Sequence, residues 1–298
     1  MQKNPLDQVK SAITLLIFMG VMILVIPLLA SVVFGLAGES LSPGTSFTLE
    51  NLLLLVSYLV IGALLWSVSQ TQRDELAMLL VDLPDRDSRR EYLLLGVGMV
   101  VASLGFTYLF FYPLSWISPG LVERWLLSTP YLLYWDEHGM YWLGNLAGVV
   151  MAVVLAPVLE EVLFRGFLLN RWTLKLGARR ALLLSSGLFA VLHNDMLGAF
   201  VFAVLMALLY MRTRTLVAPI MVHMVNNALA VLLEWLDRSL LSGFAEPSIA
   251  DFQSYLWLGL LGMLLGFPWL WWYVRTRLWP IADLLTEHEQ GGRQDYIA

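Results

Sequence analysis

The chain has 298 residues, of which 59% are hydrophobic and 14% are charged, and its formal net charge is -5. A mean hydropathy of +0.72 excludes a water-soluble domain, because a chain of this length could not bury so much apolar surface in one core. The absence of cysteine excludes disulfide frameworks, thiolate zinc sites and cysteine nucleophiles.

Long uncharged segments predict an all-α polytopic membrane bundle. A hydrocarbon core of about 30 Å requires roughly 20 apolar helical residues. Eight segments are predicted to span the membrane, near residues 11–38, 48–68, 91–117, 142–164, 180–196, 197–211, 215–236 and 252–274. The first is longer than the hydrophobic region of a signal peptide, so we expect it to be retained. The polar loops are too short to form a second core, which favours a single membrane domain over residues 1–298.

The distribution of basic residues predicts the orientation of the bundle. If the N-terminus is cytoplasmic and eight helices alternate, both termini are cytoplasmic. Only Arg124 and Arg238, of the 18 basic residues, then fall on the outer side. Such an excess of lysine and arginine on one side is typical of the cytoplasmic side of a membrane protein.

Two further patterns concern the packing of helices. Leucines at helical spacing over residues 74–83 predict an amphipathic helix at the inner interface. Gly262 and Gly266 in the last span predict close helix packing, either within the bundle or against another copy of the chain.

The fourth predicted span contains three charged residues, Glu160, Glu161 and Arg165. A charge near the centre of a bilayer costs roughly 2.5 to 3.5 kcal/mol on insertion scales. Glu161 and Arg165 are four residues apart in the order that favours a helical ion pair, so a structural role in holding the helix in register explains them. Glu160 points about 100° away around the helix and needs another neighbour.

Two later spans also carry polar residues one turn apart. Phe189 and His193 lie on the fifth span, and His223 and Asn227 lie on the seventh. A carboxylate, two imidazoles and an amide can together activate water and stabilise an oxyanion. The alternative is that these groups make interhelical hydrogen bonds, worth about 0.6 kcal/mol each.

The depths of these groups must also match. At roughly 1.5 Å per residue, His193 lies about 20 Å beyond Arg179, whereas His223 lies about 12 Å beyond Thr215. The groups can meet if the fourth helix runs past Arg165, or if the fifth is tilted or begins late.

The three motifs resemble a known family when they are taken in chain order. EExxxR at Glu160–Arg165, FxxxH at Phe189–His193 and HxxxN at His223–Asn227 are the motifs of the CAAX protease and bacteriocin-processing (Abi) family, which includes the type II CAAX prenyl protease. The resemblance covers about residues 142–236, the expected catalytic core. It implies a helical membrane fold with a polar cavity open to one leaflet or to the cytosolic side.

The resemblance also implies a role for each motif residue. Glu160 and His193 would activate the hydrolytic water, and His223 and Asn227 would hold the oxyanion. Supporting residues would be Glu161, Arg165 and Phe189. Glu160, His193 and His223 also have the composition of a zinc site. They lack the HExxH arrangement, however, so no cofactor is favoured and zinc stays an alternative.

We therefore expect a multi-pass protease in the plasma membrane of a prokaryote. Its expected partners are membrane lipids and a membrane-associated peptide or protein, cut near the inner leaflet, and no nucleic acid. Three alternatives are a non-catalytic membrane scaffold, a bacteriocin self-immunity protein and a proton-coupled transporter. A transporter would predict broken helices or internal repeats, which the sequence does not display.

Overall fold

The computed structural model describes residues 41–68, 84–128, 132–137, 139–240 and 247–281, together with residues 32 and 35. These residues contain nine helices: α1 (Pro43–Val68), α2 (Arg86–Ile117), α3 (Pro119–Val122), α4 (Trp142–Leu176), α5 (Ala178–Val191), α6 (Met196–Thr213), α7 (Val217–Leu240), α8 (Ile249–Ser254) and α9 (Leu256–Ile281). A π-helical turn, Glu123–Leu127, extends α3. Strands β1 (Trp135–Asp136) and β2 (Gly139–Met140) form a small antiparallel hairpin in which Trp135 pairs with Met140. The predicted all-α membrane bundle is confirmed.

Six of the described helices, α1, α2, α4, α6, α7 and α9, are long and apolar enough to cross a membrane. The predicted amphipathic helix at residues 74–83 lies outside the described residues, as does the first predicted span apart from residues 32 and 35.

The fifth predicted span differs from the structure. Helix α5 has 14 residues, or about 21 Å at roughly 1.5 Å per residue, which is too short for a hydrocarbon core of about 30 Å. It begins after Gly177, whose φ of 84° ends the preceding helix. It stops before His193, where the chain turns into α6 and the carboxylate of Asp195 accepts a hydrogen bond from the backbone N–H of Gly198. The α5–α6 pair is therefore a hairpin with a polar tip.

Helix α4 is longer than predicted. The prediction ended the span at residue 164, just before Arg165, but the helix continues to Leu176. It includes two π-helical segments, Met151–Leu155 and Val162–Leu169, and wide turns of this kind are frequent at functional sites. The continuation past Arg165 is one of the arrangements that allow the predicted site residues to meet.

Glycines bring α2 and α9 into direct backbone contact. A Cβ at Gly262 would meet the backbone of Gly105, and a Cβ at Gly266 would lie 2.7 Å from the Cα of Ala102. The close packing predicted at Gly262 and Gly266 therefore occurs within the bundle. The largest apolar core contains residues from α1, α2, α4, α5, α6, α7 and α9, and it surrounds the motif residues.

Candidate active site

Helix α4 places the charges of the first motif in the interior of the bundle. Glu161 and Arg165 are 0% and 2% exposed, and Nη1 of Arg165 donates to Oε1 of Glu161 over 2.9 Å. Nη2 of Arg165 donates to the carbonyl oxygen of Ala203 on α6 over 3.0 Å. The guanidinium thus neutralises Glu161 and links α4 to α6, as the structural interpretation of this pair expects.

His223 on α7 lies between the two glutamates. Its Nδ1 is 3.0 Å from Oε1 of Glu161, and its Nε2 is 4.0 Å from Oε2 of Glu160. An ionised carboxylate can only accept hydrogen bonds. Nδ1 of His223 therefore carries a hydrogen and donates a hydrogen bond to Oε1 of Glu161. Nε2 is the atom that His223 turns toward Glu160.

His193, just beyond the end of α5, approaches Glu160 from another direction. Its Nδ1 is 2.7 Å from the carbonyl oxygen of Phe189, which can only accept, so this nitrogen is also the donor. The imidazole stacks on the Phe189 ring with centroids 4.3 Å apart. Its Nε2 lies 4.0 Å from Oε2 of Glu160. Phe189 therefore fixes both the tautomer and the plane of His193.

The Glu160 carboxylate has one engaged oxygen and one that accepts no hydrogen bond from any described residue. Oε1 accepts a long hydrogen bond, 3.4 Å, from the hydroxyl of Tyr58 on α1. Oε2 is buried and faces Nε2 of both histidines. A separation of 4.0 Å exceeds a direct hydrogen bond but matches two groups bridged by one water.

Asn227 lies one turn beyond His223 and is partly held by α4. Its Nδ2 donates to the carbonyl oxygen of Ala152 over 2.8 Å, and its Oδ1 accepts from Asn226 over 3.2 Å. Ala152 lies in the first π-helical segment, just ahead of Pro157, which has no N–H to offer a preceding carbonyl. One amide hydrogen of Asn227 thus bonds to the Ala152 carbonyl oxygen in place of the missing backbone N–H. The second amide hydrogen is available to a ligand.

A cavity of about 260 Å³ joins these groups. It is lined by the predicted residues Glu160, Phe189, His193, His223 and Asn227 and by polar residues that the sequence did not single out, namely Ser103, Asn194, Asp195 and Asn226. Burial raises the pKa of the Asp195 carboxyl above its usual range, although hydrogen bonds from Gly198 and Thr107 oppose this effect.

The structure thus brings Glu160, His193, His223 and Asn227 to one cavity, with Glu161, Arg165 and Phe189 behind them. Tyr58 was missed, since a tyrosine in an apolar span is usually an interfacial or core residue and gives no signal of a polar contact. Asn226 was missed although it adjoins a motif, and its buried Oδ1 accepts no hydrogen bond from the described residues.

The fit of these residues to zinc is limited by their spacing. Two neutral imidazoles backed by a carboxylate and a carbonyl are suitable zinc ligands. Donors that each bind zinc at about 2.0 to 2.1 Å lie about 3.4 Å from one another in a tetrahedral site, whereas Oε2 of Glu160 is 4.0 Å from each Nε2. Within the described ranges, no three histidine, aspartate or glutamate side chains are grouped closely enough to hold a metal ion. The donor set matches zinc in chemistry but not in distance.

Two comparisons with known proteins fall on this part of the chain. The family model described as Type II CAAX prenyl endopeptidase Rce1-like matches residues 142–229. The protein named "Putative membrane peptidase YdiL" of Bacillus subtilis (strain 168) is 27% identical over 89 residues, which cover 29% of this chain and 36% of that protein. The matched region is thus about a third of the relative's length. No solved structure matches the chain.

Both matched regions are short, and the family match contains all three motifs that line the cavity. They confirm the resemblance seen in the sequence, whereas the prediction of a single domain over the whole chain is not tested by them. Through residues 142–229, the chain is similar to the family of type II CAAX prenyl endopeptidases described as Rce1-like.

Proposed function

We propose that this protein is an intramembrane endopeptidase in which Glu160, without a metal, activates the attacking water. The observation that carries the proposal is the position of Oε2 of Glu160, which is buried, accepts no hydrogen bond from the described residues and faces two imidazole Nε2 atoms at 4.0 Å. A water in this gap would contact a base on one side and an orienting nitrogen on the other.

The roles of the histidines follow from their tautomers. His193 donates through Nδ1 to the carbonyl oxygen of Phe189, so its unprotonated Nε2 accepts a hydrogen bond from the water and orients it. Glu160 takes the proton from the other O–H bond of the water, and the resulting hydroxide oxygen, which keeps one hydrogen, bonds to the carbonyl carbon of the scissile peptide. That proton then moves from Glu160 to the leaving nitrogen as the carbon–nitrogen bond breaks, which yields a carboxylic acid and an amine.

The oxyanion of the tetrahedral intermediate would be held by His223 and Asn227. With Nδ1 bonded to the Glu161 carboxylate, His223 would donate to the oxyanion from Nε2 when that nitrogen also carries a proton. Asn227 would contribute the amide hydrogen that does not bond to Ala152.

The chain is a multi-pass membrane protein, and we propose a membrane-associated peptide or protein as its substrate. The bacterial relative and the basic-residue distribution are consistent with the plasma membrane of a prokaryote as its location.

The test is cleavage of a reporter peptide library by purified protein in detergent, with and without a chelator. Glu160→Gln and His193→Ala should each lose roughly 10²- to 10⁴-fold in kcat, the usual contribution of a general base or its partner. Glu50→Gln, which changes an exposed glutamate on α1, is the matched control and should retain full activity.

Each other outcome contradicts part of the proposal. Loss of activity on chelation, with rescue by zinc, would establish a metalloprotease instead. Equal activity of Glu160→Gln and the native chain would remove Glu160 as the base. An inactive native protein that still folds would favour the scaffold or self-immunity alternatives.

A further inference from the structure

The described helices bring most of the basic residues to one end of the bundle. Glu91 near the start of α2 accepts hydrogen bonds from Arg212 at the end of α6 and from Tyr273 on α9, both over 2.6 Å. Asn170 on α4 bonds to the Tyr210 hydroxyl on α6 over 2.9 Å. We call this the basic end; its cations are Arg86, Arg89, Arg90, Arg171, Lys175, Arg179, Arg180, Arg212, Arg214, Arg275 and Arg277.

The opposite end carries Arg124 and Arg238 as the described basic residues. An asymmetry of this size in short loops identifies the cytoplasmic side of a membrane protein. The basic end is therefore cytoplasmic.

The candidate site is closed toward the basic end. Below Glu160, the Arg165 guanidinium joins α4 to α6 through Ala203. Beneath and around it lie apolar side chains that are each no more than 2% exposed: Phe164, Phe167, Phe189, Met206 and Leu209. This close-packed apolar layer lies between the cavity and the basic end, so a peptide that approached Glu160 from the cytoplasm would have to displace buried side chains.

The cavity extends instead toward the opposite end. Asp195, at the tip of the α5–α6 hairpin, accepts a hydrogen bond from Thr107 over 3.1 Å. Thr107 lies about 24 Å along α2 from Glu91, and about 15 Å of that helix follows before Ile117. The hairpin tip is thus well past the middle of α2, nearer to the non-cytoplasmic end.

The exposure of the tip agrees with this direction. The His193 side chain is 37% exposed, and Asn194 is exposed. Polar backbone and side chains at membrane depth are tolerated where they line a water-filled cavity. Helices α2 and α7 continue beyond the tip and form walls on that side.

We infer that the candidate site receives its substrate from the non-cytoplasmic side of the membrane. The scissile segment would then belong to an exported or membrane-anchored polypeptide exposed on that side, and not to a soluble cytoplasmic tail. This inference rests on the proposed protease function for its substrate class, and it differs from the expectation, drawn from the sequence, of a cut near the inner leaflet.

The absence of cysteine makes a direct test of access practical. Single cysteines are introduced by Asn194→Cys at the hairpin tip and by Ser103→Cys on the α2 wall of the cavity. Two exposed positions serve as references: Glu123→Cys for the non-cytoplasmic end and Lys175→Cys for the basic end. Each variant is treated with a charged, membrane-impermeant thiol reagent in right-side-out and in inside-out membrane vesicles.

The expected result is that Asn194→Cys and Ser103→Cys label in right-side-out vesicles, as Glu123→Cys does, and lose labelling in inside-out vesicles, where Lys175→Cys labels. Labelling that follows Lys175→Cys would overturn the inference. Labelling from neither side, with full reaction in detergent, would also overturn it, because the cavity would be closed to water. Labelling does not require activity, so an inactive protein that labels as expected would refute the protease proposal alone.

Discussion

At the scale of single residues, Tyr58 controls the direction of the Glu160 carboxylate. Its hydroxyl occupies Oε1, which leaves Oε2 facing the two histidines. We expect Tyr58→Phe to lower kcat by roughly tenfold with little change in KM, because a hydrogen bond to a charged group contributes about 1.5 kcal/mol at the low end of its range and this bond is long. Steady-state kinetics on a cleaved reporter peptide measure both constants.

Tyr210→Phe is the matched control for this change. It removes a buried tyrosine hydroxyl that bonds to Asn170, away from the cavity. It should lower thermal stability without changing kcat of the folded protein. If both variants lost the same activity, the effect of Tyr58 would be one of folding and not of positioning.

Asp195 gives a prediction for the pH dependence of stability. Burial raises its pKa above the ordinary value of 3.8. Between pH 3.8 and that raised pKa the folded state binds more protons than the unfolded state, so the free energy of unfolding falls as the pH rises. Asp195→Asn removes this ionisation and keeps an acceptor for the Gly198 N–H. The melting temperature of the variant relative to the native chain should therefore increase from about pH 4 to pH 7.

Asp251 provides a control of opposite sign. This exposed residue lies in the first turn of α8, and hydrogen bonds from the hydroxyl and the backbone N–H of Ser248 to its carboxylate lower its pKa below 3.8. Its ionised form stabilises the fold above pH 3.8, and this stabilisation is lost as the pH falls through the lowered pKa. Asp251→Asn should thus lose stability relative to the native chain as the pH rises. Thermal unfolding in detergent at several pH values distinguishes the two, and identical profiles would contradict the argument.

At the scale of helices, the contact between α2 and α9 depends on glycine. A methyl group on Gly266 would lie 2.7 Å from the backbone N and Cα of Ala102, and backbone cannot move aside as a flexible side chain can. We expect Gly266→Ala to destabilise the bundle by about 1 to 3 kcal/mol, the usual cost of overpacking. The measurement is thermal unfolding of the purified protein in detergent.

Gly187→Ala is the control within the same chain. Gly187 lies inside α5, and a Cβ there would meet no atom within 4 Å. This variant should be neutral or more stable by about 0.5 to 1 kcal/mol, because alanine is the better helix former. A comparable loss of stability in both variants would show that the α2–α9 contact is not the cause.

The lengths of α4 and α5 show where sequence patterns stop being informative. Hydropathy placed the end of the fourth span before Arg165, because a charge normally marks the edge of the membrane. Glu161 and the Ala203 carbonyl neutralise and solvate that charge, so the helix continues through it. The α5–α6 boundary could be located from His193, Asn194 and Asp195, but the depth of that turn depends on a tertiary hydrogen bond to Thr107.

At the scale of the whole molecule, the sequence predicted the class of fold and the meeting of the three motifs. Apolar length determines spans nearly directly, and isolated charges in lipid need partners, so both signals are strong. Contacts between distant spans, such as Tyr58 with Glu160, leave no periodic or compositional trace in a single chain. The same holds for the layer of buried apolar side chains between the cavity and the basic end, which forms only when several helices have packed together.

The shortness of α5 also affects the lipid around the protein. This helix exposes Leu183, Leu184 and Val191, yet it covers only about 21 Å, which leaves a hydrophobic mismatch of about 9 Å with a bilayer of average thickness. Lipid relieves such a mismatch by thinning locally, at a cost of fractions of a kcal/mol per Å. In the proposed protease, a substrate that approached over α5 would therefore cross less hydrocarbon on its way to Glu160 than one that approached beside α2 or α7.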